Sequence, residues 1–493
     1  MIRLVLFSLG LALHGLCAAA VAEPMDSPTI IQLSGTDWRI HEDASGKGAD
    51  ARLFSADPST AGWIAATVPG NIQADLEAAH QLEPLWYGAG DAHLKLVAAK
   101  DWWYRKDFTI PASLACKRLT LVFDGADQHA EVWLNGKAIG ANTGMFRRFQ
   151  FDVTADAKVG AVNQLAVRIS RQLDPKAADW AKQNLELKSA TNAGWDWGTP
   201  VRTMGLWKGV RLEASGAARM DWTRVQTTLS DDHTKATVLV TLEIDSTAEL
   251  QAKAGVEIVG HAKVIVDAAL KKGRNLVKAE LPLEQPSIWW PLGQGEQPLY
   301  TLLTELRAPD RTVMHERATR FGVRDVRWVH TEGATADFIN RFQLVINGRP
   351  VRTIGSNFIP ADLLFGRMEA RALNLLHHAK AAGMNTLRIW GGGVICHDSF
   401  YDLADELGIM LVQDFPLANI VPPKDADYLA MLDATARNIV RQVRNHPSII
   451  EFDGGNEMRW KSDTDHPAFH LLKRVVAEEG GRVFRARSEE RRV

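Results

Sequence analysis

Residues Thr386–Asp414 read TLRIWGGGVICHDSFYDLADELGIMLVQD, and this stretch decides the fold. Thr386–Ile389 is a short apolar run of strand type. Asp398 then stands where a helix N-cap belongs, Tyr401, Ala404 and Leu407 recur at helical spacing, and Gly408 supplies a C-terminal stop. Ile409–Val412 is apolar again. Strand, helix, strand at this rhythm is a βα unit, which demands a parallel sheet.

The rhythm extends to both sides. Ala372, Leu375, Leu376 and Ala379 mark a helix closed by Gly383, and Leu432, Ala436, Ile439, Val440 and Val443 line one face of another. Val351–Ile354 and Ser448–Phe452 are the flanking strand-like runs. A (β/α)8 barrel fits best, with its chemistry at the C-terminal ends of the strands.

Upstream the period changes to two. Leu119, Leu121 and Phe123 alternate, as do Ala130, Val132 and Leu134, and Leu165, Val167 and Ile169. Asn135-Gly136 supplies the positive-φ pair of a type I′ hairpin turn. Many short strands without helices predict a jelly-roll-like β-sandwich over residues 23–215. Thr237–Leu242 continues the β pattern, and residues 216–325 have the length of an immunoglobulin-like sandwich. The fold class expected is therefore multidomain β plus α/β, with residues 326–493 forming an incomplete (β/α)8 barrel.

Met1-Ile2-Arg3, the apolar run Leu4–Leu16 and Ala20-Val21-Ala22 have the form of a signal peptide over residues 1–22. The expectation is a secreted or periplasmic protein with no membrane attachment after cleavage. A disulfide between Cys116 and Cys396 is open but not favoured. Lys+Arg 57 against Asp+Glu 59 leaves a net charge of −2, which argues against a nucleic-acid partner. The aromatic balance is skewed, with 16 Trp and only 5 Tyr. Indole faces suit the C–H side of sugar rings, although a buried core is the commoner fate of Trp.

Polar and acidic groups gather where the barrel strands end. Arg388, Trp390 and Gly391–Gly393 follow the second strand, Asp414 the third, and Asn456-Glu457 the fourth. Gly391–Gly393 lacks the spacing of a nucleotide-binding loop. Glu457 is the candidate general acid, provided that burial raises its pKa. Asp405 and Glu406, inside a helix, read as solvated. Glu451 and Asp453 are unusual in a barrel strand, and a charged Glu451 facing inward is costly unless paired. Without HExxH or CxxC spacing, neither a metal nor a cofactor is expected.

Five segments in this order resemble glycoside hydrolase family 2, and its β-mannosidases most nearly: Asn192–Gly198, Leu387–Gly393, Asp398–Met410, Gln413–Phe415 and Asn445–Ile449. The resemblance implies an exo-acting, retaining β-mannosidase that takes terminal β-D-mannose from oligosaccharides. It assigns Glu457 as acid/base and Asn456 as the group that binds the 2-hydroxyl. It places Arg388, Trp390 and Asp414 in or behind the sugar pocket, and Asp196 and Trp197 on a loop that closes it. It leaves another family 2 exo-glycosidase, a β-glucosaminidase or β-galactosidase, and an inactive carbohydrate-binding fragment as alternatives. Retaining hydrolysis needs a second carboxylate as nucleophile, which the resemblance puts on the seventh barrel strand. Four strands are expected before Val493, and a whole barrel takes ~250 residues. A truncated barrel lacking that nucleophile is the expectation, with Arg482–Val493 an arginine-rich tail carrying no strand. The oligomeric state is not legible.

Overall fold

A computed structural model describes residues 30–55, 61–84, 94, 96–172, 186–335, 342–458 and 466–485. The expected signal peptide, and the tail beyond residue 485, lie outside the described residues. Among those described, no helix is long and apolar enough to cross a membrane.

Two antiparallel sheets form the first sandwich. The larger runs in the order Ile64–Val68, Gly35–Asp43, Asp101–Thr109, Val162–Ile169, His129–Leu134 and Lys137–Thr143. The smaller is Ile30–Gln32, Val210–Ser215, Arg118–Phe123 and Phe149–Asp152. Leu119, Leu121, Phe123, Ala130, Val132, Leu134, Leu165, Val167 and Ile169 all enter one core between them. Asn135 and Gly136 have φ of 54° and 83°, and Leu134 pairs with Lys137 across the two-residue turn. Both positions need the left-handed region, which is why Asn-Gly sits there.

The second sandwich packs three strands, Ala218–Leu229, Lys235–Ser246 and Gly273–Glu284, on four, Ala262–Leu270, Leu250–Ile258, Tyr300–Arg307 and Val313–Phe321. Its core takes Val238, Val240, Leu242 and Ile244 from one side of the longest ladder. Below the next domain, Trp289, Leu344, Ile346, Val351, Met410 and Ile450 close a small separate cluster. The Trp289 indole N–H donates to the Asp405 carbonyl at 2.8 Å.

Five parallel strands make the third domain: Gly355–Phe358, Thr386–Ile389, Met410–Asp414, Ile449–Asp453 and Val483–Arg485, in that order. They are not closed into a barrel among the described residues. Helices Glu369–Ala381, Asp398–Leu407, Ala426–Val443 and Pro467–Val475 lie in the connections. Ala436, Ile439, Val440 and Val443 of the longest helix share a core with Leu387, Ile389, Leu411, Ile449 and Phe452 of the sheet.

The structure corrects several readings. Val351–Ile354 is not a strand. Ile354 is 50% exposed, and the first strand starts one residue later, at Gly355. A Cβ on Gly355 would lie 1.7 Å from the Thr386 carbonyl oxygen, so the two strands approach through a glycine. Leu375 is 43% exposed, because Ala372, Leu376 and Ala379 form a narrower buried stripe. His397 is the N-cap residue and Asp398 begins the helix, where its charge still suits the positive helix end. Asp405 is buried and not solvated. It accepts from the Ser448 amide at 2.9 Å and pairs with His446 at 2.7 Å, whereas exposed Glu406 meets Arg320. Val483–Arg485 supplies a fifth strand within the tail that was expected to carry none. Cys396 is a free buried thiol, so it forms no disulfide with Cys116.

Candidate active site

Arg388 is the hub of the polar groups at the C-terminal ends of the parallel strands. It sits inside the second strand, beside the third, whose register places it against Val412 and brings Asp414 within reach. The guanidinium grips the Asp414 carboxylate bidentately, with Nε 2.9 Å from Oδ1 and Nη2 on Oδ2. It also donates to Asn357 at 3.2 Å and to the Asn456 side-chain oxygen at 3.0 Å. One planar fork thus ties the ends of four strands together, which a lysine could not do. Asp414 also accepts from the Gly391 amide at 2.9 Å. It is buried, with Arg388 and the Gly391 amide as its partners.

Burial, then the neighbouring Asp453 carboxylate, pushes the Asp414 pKa up to about 7 despite the Arg388 charge. Asp453 pairs in register with Asp414 on the adjacent strand, and Glu451 is buried two residues before it. Burial and Asp453 raise Glu451 to about 8. Arg485, from the fifth strand, answers the inward-facing Glu451 as an ion pair. A floor of carboxylates shared between two arginines therefore lies beneath the site.

The chain beyond the fourth strand turns sharply. Gly455 has φ of 139°, and a Cβ there would meet the Leu417 carbonyl at 2.7 Å. This glycine lets the Asn456 amide donate to Leu417 O at 2.8 Å, while the Asn419 amide donates to Asn456 O at 2.9 Å. Two loops are thereby clipped together. Their side chains continue the clip, because Asn456 Nδ2 donates to Asn419 Oδ1 at 3.0 Å and Asn419 Nδ2 donates to Glu457 Oε2 at 2.9 Å. Glu457 itself has φ of 45°, an uncommon conformation for a non-glycine residue and one that clusters at functional sites. Its side chain is exposed, in contrast to the burial expected of a general acid. Asn419 and Asn357 complete this network. The sequence offered no signal for Asn419, a lone amide in a loop, whereas Asn357 lies in the first strand, Gly355–Phe358.

The glycine run serves close packing. A Cβ on Gly391 would strike the Leu417 and Phe415 carbonyls at 2.6 and 2.7 Å, and one on Gly392 would enter the Trp390 ring at 2.2 Å. Trp390 is 7% exposed. Trp195 meets its ring edge-on at 4.9 Å and Trp197 lies 5.7 Å away. Trp197, 46% exposed, is the open indole face of the three. Asp196 and Trp197 are the two central residues of a tight turn closed by reciprocal backbone bonds between Trp195 and Gly198, both 3.1 Å. Asp196 is exposed at its tip. The first sandwich thus delivers the turn to the mouth of the parallel sheet.

Away from this site, Asp402, Asp405 and His446 bring ligand-type atoms within 4.8 Å of one another. Burial opposes the His446 charge, yet Asp405 beside it raises its pKa overall, and Arg320 lies 3.8 Å from Asp402. The group is an ion-pair cluster between helix and loop.

Residues 38–208 match the glycosyl hydrolase 2 galactose-binding domain-like model, and residues 218–324 match glycosyl hydrolases family 2. The chain is 30% identical over 473 residues to a β-mannosidase of Bos taurus, covering 90% of this chain and 51% of that protein. It is 31% identical to β-mannosidase B of Aspergillus niger, covering 79% and 48%. The β-D-mannosidase structure from Dictyoglomus thermophilum superposes with a TM-score of 0.78 at 28% identity, covering 93% of this chain and 58% of that one. An exo-chitosanase from Amycolatopsis orientalis, 23% identical, shares the fold with a TM-score of 0.79 over 94% and 53%. The chain spans about half the length of the curated relatives it matches.

Proposed function

From the premise that this chain belongs to glycosyl hydrolase family 2, we propose that it serves an exo-acting, retaining β-mannosidase removing terminal β-D-mannose from oligosaccharides. The observation that carries the reading is the Glu457–Asn419–Asn456–Arg388–Asp414 chain of hydrogen bonds at the C-terminal ends of the parallel strands. In this reading the Glu457 carboxyl protonates the glycosidic oxygen as the bond to the anomeric carbon breaks. As a carboxylate it then takes a proton from the water that releases the sugar. Asn456, fixed by Arg388 and Asn419, addresses the 2-hydroxyl, while Asp196 and Trp197 bring an acceptor and a stacking face from the other side. The nucleophilic carboxylate, ~5–5.5 Å from the acid/base in retaining enzymes, belongs in this proposal to sequence outside residues 1–493. The leader-like residues 1–22 support secretion or a periplasmic location.

Calorimetry and hydrolysis with 4-nitrophenyl β-D-mannoside, and with the β-galactoside and β-glucosaminide, test the proposal. The expected result is preferential binding of the mannoside without turnover. Preference for either other sugar overturns the substrate. Turnover that survives Glu457→Gln overturns the acid/base assignment, and turnover abolished by that change overturns only the absent nucleophile.

A further inference from the structure

Behind the Asp196–Trp197 turn lies a buried polar quartet: Asp127, Lys188, Asn192 and Thr203. Lys188 Nζ pairs with Asp127 Oδ1 and donates to the Thr203 carbonyl at 2.7 Å. The Thr203 hydroxyl lies 2.6 Å from both Asp127 Oδ2 and Asn192 Oδ1, and the Thr203 amide donates to the same Asn192 oxygen at 2.6 Å. A buried ion pair adds little net stability, because desolvation offsets the attraction. What such a network does well is to fix one geometry.

The geometry it fixes is that of the turn. Asn192 belongs to the short helical segment Ala190–Ala193 that runs into Trp195–Gly198, and its carbonyl accepts from the Arg202 amide at 2.9 Å, so both arms of the loop are held at one point. Ser189 Oγ, just before this segment, and the Thr191 amide within it each donate to the Gly392 carbonyl at 3.1 Å. Gly392 is the residue over which the Trp390 ring packs. The quartet is therefore connected through two residues to the glycine run after the second parallel strand and through one to the tip carrying Asp196 and Trp197.

We propose that Asp127, Lys188, Asn192 and Thr203 are positioning residues that set sugar affinity by locking the Trp195–Gly198 turn against the end of the second parallel strand, an inference that rests on the β-mannoside reading for its ligand. Thr203→Val removes the shared hydroxyl while leaving the Lys188–Asp127 pair. The expected result is mannoside affinity about tenfold weaker by calorimetry with 4-nitrophenyl β-D-mannoside, amide hydrogen exchange faster across residues 189–198, and exchange in the strands of the first sandwich unchanged. Thr203→Ser restores both. Ser189→Ala, which removes the contacts of Ser189 with Gly392 and the Thr191 hydroxyl, shifts both in the same direction and carries the test should Thr203→Val not fold. Faster exchange throughout the sandwich, or a released turn with unchanged affinity, overturns the proposal. If the unsubstituted chain binds no mannoside while Thr203→Val still frees residues 189–198 alone, the sugar reading fails and the locking of the turn stands.

Discussion

Arg388→Met offers the sharpest test of how the site is held together. The change keeps an unbranched apolar stem and removes the guanidinium that grips Asp414 through Nε and Nη2 and reaches Asn456 at 3.0 Å. Breaking a buried pair by deleting one partner costs about 3–5 kcal/mol when the remaining charge has no escape. Asp414 has one: with the cation present its pKa already stands at about 7 against an ordinary 3.8, because of burial and Asp453. A carboxyl raised in the folded state gives stability that is fully present below ~4 and is lost as pH rises through the folded pKa. Removing Arg388 raises that pKa further. At pH 5 Asp414 is protonated with or without the arginine, and the substitution costs only its hydrogen bonds, ~1–2 kcal/mol. At pH 8.5 the original chain holds an ionised, paired Asp414, whereas the variant must either bury a lone charge or take up a proton against the solution. The destabilisation therefore grows to ~3–5 kcal/mol as pH rises from 5 to 8.5. Amide hydrogen exchange of Thr386–Ile389 and Met410–Asp414, corrected for intrinsic rates and read at both pH values, measures it. A loss equal at the two pH values, or larger at pH 5, refutes the reasoning.

Other consequences are simpler to read. Asn445→Ala removes two side-chain bonds that join the third domain to the second sandwich, to the Val225 amide and the Thr223 carbonyl, both at 2.9 Å. It is expected to lower the urea midpoint by the equivalent of ~2–3 kcal/mol, and an unchanged midpoint counts against that contact. Gly392→Ala puts a methyl 2.2 Å from the Trp390 ring and must displace it. A cost of ~1–3 kcal/mol and an altered near-ultraviolet circular dichroism spectrum are expected, and an unaltered spectrum refutes the packing. Burial pushes the Cys396 thiol up to about 12, so it should resist iodoacetamide at pH 8 in the folded chain and react in urea, as read by mass spectrometry. Rapid labelling of the folded chain refutes its burial.

What could be read locally and what could not separates along physical lines. The helix Ala426–Val443 was legible because five apolar residues at helical spacing have one use, and all five are buried. Asn135-Gly136 was legible because few residues tolerate positive φ twice in succession. Val351–Ile354 misled because apolar composition does not say where a chain must come within hydrogen-bonding distance of its neighbour. Asp405 misled because nothing within its own helix reveals that His446 and Ser448 arrive from forty residues onward.

At the candidate site the sequence determined the inventory: an Arg, a Trp and three glycines at the end of one strand, an Asp at the end of the next, an Asn-Glu pair after another, and an Asp-Trp turn far upstream. Its order was enough to suggest the family, since strand-end chemistry follows from βα topology. Only the tertiary structure decided who holds whom. It showed Asp414 gripped by Arg388, brought in Asn419 and Asn357, and showed Glu451 paired with Arg485 across two parallel strands. The reason is that a charge is acceptable in the interior only with a partner, and the partner is chosen by strand register, which residue type alone does not encode.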